Sequence, residues 1–117
     1  MSVRDLIARS DSVTLSAAVV TGPGSSVYTK DRGYVLWIVR VTGVTTGGTV
    51  LIQGCETNSA TPADWYPLAT VAVTANGTHY VAVSEDEWHP YMRANVTVRT
   101  DGSYTAKYLS APRLVST

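Results

Sequence analysis

Apolar and polar residues alternate in short segments along this chain, and turn residues separate the segments at regular intervals. That rhythm belongs to strands, because successive side chains of a strand point to opposite faces and a period of two marks a half-buried one. Between Tyr91 and Arg99, the residues Met92, Ala94, Val96 and Val98 alternate with Arg93, Asn95, Thr97 and Arg99. The first set is expected inward and the second toward solvent. Tyr104, Ala106 and Tyr108 alternate with Thr105 and Lys107 in the same way, and Asp101-Gly102 between the two runs predicts a closing hairpin. Asn76-Gly77 predicts a second hairpin, with a type I′ turn, joining Trp65–Val73 to Thr78–Val83.

Upstream, Ser12–Val20 reads as a strand ended by Thr21-Gly22-Pro23-Gly24, and Ser25–Arg32 as a polar loop. Gly47-Gly48 turns the chain into a strand at Thr49–Cys55, and Thr57–Asp64 reads as a polar loop in which Pro62 cannot donate a ladder hydrogen bond. The segment Tyr34–Val41 differs from the others. One alternating set is Val35, Trp37, Val39 and Val41, and the other is Tyr34, Leu36, Ile38 and Arg40. Both are apolar until Arg40, so something must cover the second face. We expect a subunit interface there, at Tyr34, Leu36 and Ile38, in a homo-oligomer. The Ser25–Arg32 loop, the Thr57–Asp64 loop or the N-terminal segment folding over it is the alternative.

Together these elements predict an all-β fold. The expectation is one antiparallel β-sandwich, jelly-roll or immunoglobulin-like, of about seven or eight strands. It spans residues 12–117, after a short N-terminal arm at residues 1–11 in which Leu6 and Ile7 are too few for a helical stripe. The length of 117 residues suits one domain. Lys plus Arg and Asp plus Glu are both 9, so the net charge is zero and the basic excess of a nucleic-acid binder is missing. No apolar run approaches the roughly 20 residues of a membrane helix. Arg4, Asp5 and Arg9 fall where a signal peptide needs apolar residues, and the lone Cys55 excludes an internal disulfide. Synthesis in a host cytoplasm is the expectation, and the sequons at Asn76 and Asn95 are read as chance.

Residue chemistry offers little to an enzyme. His79 and His89 are the possible imidazole bases, and no Gly-x-Ser-x-Gly elbow accompanies them. Glu85, Asp86, Glu87 and His89 have metal-ligand chemistry, but consecutive carboxylates in a loop without glycine read as a solvated acidic loop. Cys55 ends an apolar strand and reads as a buried small hydrophobe, with Glu56 beside it opposing thiolate formation. No catalytic residue, cofactor or metal is therefore expected. Trp65-Tyr66, Trp88 and Tyr91 leave a carbohydrate-binding module as the rival, since aromatic platforms hold sugars, although an aromatic at a strand start also plugs a sandwich end.

Two stretches carry a resemblance. The first is Val41-Thr42-Gly43-Val44-Thr45-Thr46-Gly47-Gly48-Thr49-Val50-Leu51-Ile52-Gln53-Gly54 with Trp65-Tyr66-Pro67-Leu68. The second is Tyr91-Met92-Arg93-Ala94-Asn95-Val96-Thr97 with Asp101-Gly102-Ser103-Tyr104-Thr105-Ala106. Together they resemble small structural proteins of tailed bacteriophages. In those, a strand pair around Gly-Gly-Thr leads to a Trp-x-x-Leu strand, and an Arg-Ala strand forms the closing hairpin. The resemblance spans about Tyr34–Leu109 and leaves the N-terminal third unmatched. It implies a virion component. A capsid decoration or cement protein, trimeric by analogy and seated on a major capsid protein, comes first, and a small tail or head-tail connector subunit second. Arg93, on the outward set of its strand, is expected to meet a carboxylate on this chain or on a neighbour.

Overall fold

The computed structural model describes residues 10–29, 32–83 and 90–112. Within them lie nine strands. In chain order these are β1 (Ser10–Ala18), β2 (Gly22–Pro23), β3 (Val27–Tyr28), β4 (Arg32–Thr42), β5 (Gly48–Cys55), β6 (Tyr66–Val73), β7 (Gly77–Val83), β8 (Tyr91–Arg99) and β9 (Ser103–Pro112). All pairings are antiparallel. One sheet has the order β1-β9-β4-β7, and the other β2-β8-β5-β6, with β3 also on β8.

The pairing is nested. β5 and β6 form the innermost hairpin, β4 pairs with β7, β2 and β3 pair with β8, and β1 pairs with β9. A single antiparallel ribbon folded over on itself has this order, which is the jelly roll and not the immunoglobulin arrangement. Val35, Trp37, Val39, Val41, Tyr104 and Ala106 from one sheet meet Val50, Ile52, Met92, Ala94 and Val96 from the other in one core. Full burial of each large apolar side chain contributes about 1.5–3 kcal/mol.

Nested pairing overturns both terminal hairpins that the sequence suggests. β6 and β7, joined at Asn76-Gly77, lie in different sheets, and so do β8 and β9, joined at Asp101-Gly102. The alternation in β8 and β9 records only that each strand has an inward face. Those faces oppose each other across the core instead of lying side by side. Gly77 has φ 146°, but Asn76 has no positive φ, so the turn is not type I′. β4 and β5 on either side of Gly47-Gly48 also belong to opposite sheets, so Gly-Gly-Thr opens no strand pair.

Smaller corrections have local causes. β1 begins at Ser10, where it pairs with Ser110, and β3 forms inside the expected Ser25–Arg32 loop. The register of β5 with β8 shifts between Thr49 and Val50, which pair with Val98 and Val96. A bulge there turns Val98 outward, where it is 53% exposed, against its expected inward place. Leu68 packs on the core, but Trp65 is outside the core cluster and covers the far side of its sheet.

Candidate functional site

A partly exposed apolar surface lies on the outer face of the β1-β9-β4-β7 sheet. β4 is central, so its register fixes which side chains share that face. Ile38 lies opposite Tyr80 on one side and Lys107 on the other, and Lys107 lies opposite Val13. The row Val13–Lys107–Ile38–Tyr80 therefore crosses the whole sheet. Beside it runs Leu109–Leu36–Ala82, and beyond Ile38 the polar row Thr105–Arg40–Thr78 closes the patch. Leu36 and Ile38 are half-buried, while Val13 and Tyr80 are 53% and 68% exposed. Val13, Leu36, Ile38, Tyr80 and Leu109 give this face an apolar character around Lys107, which already has a partner within the chain.

Leu36 and Ile38 thus fall where the sequence puts them, on the second apolar face of β4. The side chain of Tyr34 lies outside the described residues. Val13, Tyr80 and Leu109 extend the patch and were not anticipated. For Tyr80 a signal existed, because Thr78, Tyr80 and Ala82 form the outward set of β7, but only the β4–β7 register joins it to Ile38.

Arg93 sits on the opposite side of the sandwich, so it cannot share one flat contact with Leu36 and Ile38. It does point outward, yet it is 8% exposed and already engaged. Its Nε donates to Gln53 Oε1 at 2.9 Å, its cross-strand neighbour, and Asn95 Nδ2 donates to the same oxygen at 3.3 Å. Its guanidinium lies 4.2 Å from the centre of the Trp65 ring. The Trp65 indole N–H in turn donates to Ser59 O at 3.0 Å, which ties the Thr57–Asp64 loop down over the sheet. Burial lowers the Arg93 pKa from its ordinary value, with nearby Cys55 acting in the opposite sense. The expected carboxylate partner is replaced by an amide and an aromatic ring.

The aromatic pair Trp65-Tyr66 is divided. Trp65 is buried, as a plug is, whereas Tyr66 is 57% exposed. Tyr66 lines a cleft of about 200 Å³ with Cys55, Glu56, Thr57, Ala63 and Asp64. Cys55 is a buried free thiol, as expected. The Tyr91 and Tyr28 rings meet at a tilt of 58°, with ring centres 5.1 Å apart. His79 is half-buried on the inward side of β7, opposite Val39, with its Nε2 buried and without a hydrogen-bond partner. Trp88 and the acidic loop Glu85–Glu87 with His89 lie outside the described residues. Among the described residues no three His, Cys, Asp or Glu side chains converge as metal ligands.

At the other end of the sandwich, loops from both sheets are tied together. The Asp101 carboxylate accepts from the Thr45 hydroxyl and from the N–H groups of Thr45 (2.9 Å), Thr46 (3.1 Å) and Gly47 (3.0 Å). The Thr45 hydroxyl, followed by the Gly47 N–H, holds this carboxyl well below the usual carboxylate range. Asn76 Oδ1 accepts from the Val44 N–H at 2.7 Å, and the Tyr104 hydroxyl donates to Asp101 O at 3.1 Å. Burial, and then the Asp101 charge, raise the Tyr104 pKa. Gly47, with φ 116°, passes so close to Val73 O that a side chain would not fit.

No protein-family model matches the chain, and no curated protein matches it significantly in sequence. Its fold is similar to that of the SPBc2 prophage-derived protein YomS, with a TM-score of 0.54 and 15% identity over 89% of this chain and 95% of that one. Identity this low makes the likeness one of fold.

Proposed function

We propose that this chain is a non-enzymatic structural subunit of a phage particle, a decoration protein that binds the head through the outer face of its β1-β9-β4-β7 sheet. The observation that carries this reading is the apolar patch of Leu36, Ile38, Tyr80, Val13 and Leu109. Exposed apolar residues gathered on one face often mark a contact site, so a partner surface is their natural complement. The prophage origin of a protein with a similar fold supports the setting, as does the resemblance to small tailed-phage proteins. No catalytic residue, cofactor, nucleic acid or membrane enters the reading.

Gold-labelled antibody against this chain, applied to purified particles of the phage that encodes it, tests the proposal. Label spread over heads is the expected result. Label confined to the neck or tail moves the protein to a connector or tail subunit, and particles without label overturn the reading.

A second reading rests on the Tyr66 cleft. An exposed aromatic beside Glu56, Thr57 and Asp64 has the chemistry of a pyranose subsite, with stacking on one sugar face and acceptors for its hydroxyls. Glycan titration followed by tryptophan fluorescence tests it. Saturable quenching that disappears in Tyr66→Ala supports a sugar-binding module, and a flat response to a broad glycan panel removes it.

A further inference from the structure

Each sheet of an open sandwich ends in edge strands, whose unpaired N–H and C=O groups template pairing with another chain. Natural proteins blunt such edges with bulges, proline, charge or short strands. Three of the four edges here are blunted in these ways. β1 shifts register between Val13 and Leu15 and again between Leu15 and Ala18, and Ala17 within it has φ 47°. β6 carries Pro67, which has no N–H to offer and stands beside the register shift between Ile52 and Gln53. The edge beside β8 is formed by β2 and β3, two residues each.

β7 has none of these protections. Its seven residues, Gly77-Thr78-His79-Tyr80-Val81-Ala82-Val83, include no Lys, Arg, Asp, Glu or Pro. It pairs with β4 without a register shift from Val35↔Val83 to Val41↔Gly77. Among the described residues no strand pairs with its other side. Tyr80, at its centre, is 68% exposed. A long, regular, uncharged edge is the kind that pairs.

We propose that β7 pairs antiparallel with β7 of a second copy across a two-fold axis. The two four-stranded sheets then join into one continuous sheet. Centred on Tyr80, this register sets Tyr80 against its own copy, His79 against Val81 and Thr78 against Ala82. Each pair keeps inward residues with inward and outward with outward. A charged strand would meet its own charges in such a pairing, and β7 has no charge to repel. The strand is therefore compatible with its own copy, and such a contact is isologous. The outer apolar rows also become continuous, since Ile38–Tyr80 of one subunit runs into Tyr80–Ile38 of the other. The docking face doubles in extent, and paired subunits would grip a particle bivalently. The pairing does not depend on the virion reading: particles without label remove that function and leave the dimer in place.

Light scattering on the full chain, coupled to gel filtration from micromolar to millimolar concentration, tests the proposal. The expected mass is twice the 12.5 kDa of one chain. Tyr80→Lys and, separately, Ala82→Lys place like charges at or near the two-fold and should give monomers with unchanged far-ultraviolet circular dichroism. Ile38→Asp, one strand inward, should leave the dimer intact. Amide hydrogen exchange on the parent supplies an independent reading, with alternate β7 amides protected on the outer edge. A parent that stays monomeric throughout, an oligomer whose mass neither lysine changes, or fast exchange along the whole outer edge of β7 would each overturn the proposal.

Discussion

The two outer faces of this sandwich solve the same problem in opposite ways. On the β2-β8-β5-β6 sheet the outward residues Gln53, Arg93 and Asn95 bond to one another, and Trp65 closes over the arginine. Buried polar groups there are satisfied within the chain, while Val98 and Tyr66 of the same sheet stay exposed. On the β1-β9-β4-β7 sheet the outward residues Leu36, Ile38, Tyr80 and Val13 are apolar and remain partly open to solvent. Covering them takes a second surface. The difference teaches that outward polar side chains can be the more deeply buried ones and outward apolar side chains the more exposed.

The comparison breaks most readily at Trp65. Trp65→Ala removes the ring over Arg93 and the anchor of the Thr57–Asp64 loop, and should cost about 3 kcal/mol in urea unfolding. A loss no larger than that from changes on the other face would mean that the two faces are equally self-sufficient.

Gly77→Val acts on the crossing between the sheets and so bears on both faces. The φ of 146° is open to glycine and costly for other residues, and a new Cβ meets nothing within 4 Å. The penalty is therefore conformational, of about 1–3 kcal/mol, and Gly77→Ala should show nearly the same loss in thermal unfolding. A valine variant as stable as the parent would show that the crossing relaxes freely.

Asp101 gives a pH test of the end that ties the sheets together. Its folded pKa lies below the unfolded value, so in that window the unfolded chain binds more protons and stability rises with pH. The contribution is complete above the unfolded value of about 3.9 and is lost as pH falls toward the lower folded pKa. Asp101→Asn should lower stability at neutral pH and flatten the acid limb of a stability–pH profile. An unchanged acid limb would show that the carboxylate hydrogen bonds add nothing.

The smallest effect on folding is expected on the open face. Ile38→Asp should change unfolding by less than about 1 kcal/mol while abolishing attachment to phage heads, read by co-sedimentation. A large folding penalty would place Ile38 in the closed part of the molecule and erase the contrast.

Much of this was legible in the residues. Alternation located the seven longer strands within a few positions, though not β2 and β3, the doubly apolar run of β4 marked its outer face as apolar, and the apolar strand before Cys55 indicated its burial. Those signals are local, since a period of two is written into each strand separately. Which strands pair is another matter. Asn76-Gly77 and Asp101-Gly102 look like hairpin turns, but glycine serves a crossing between sheets as well as a tight turn, because both need backbone that side chains resist. Gln53 and Arg93 are 40 residues apart in sequence, and only the β5–β8 register makes them neighbours. The longer strands and most of their faces were determined by the sequence read locally. The nesting of the ribbon, the closing of one outer face and the open edge of β7 were decided by tertiary structure, because each depends on contacts between segments distant in the chain.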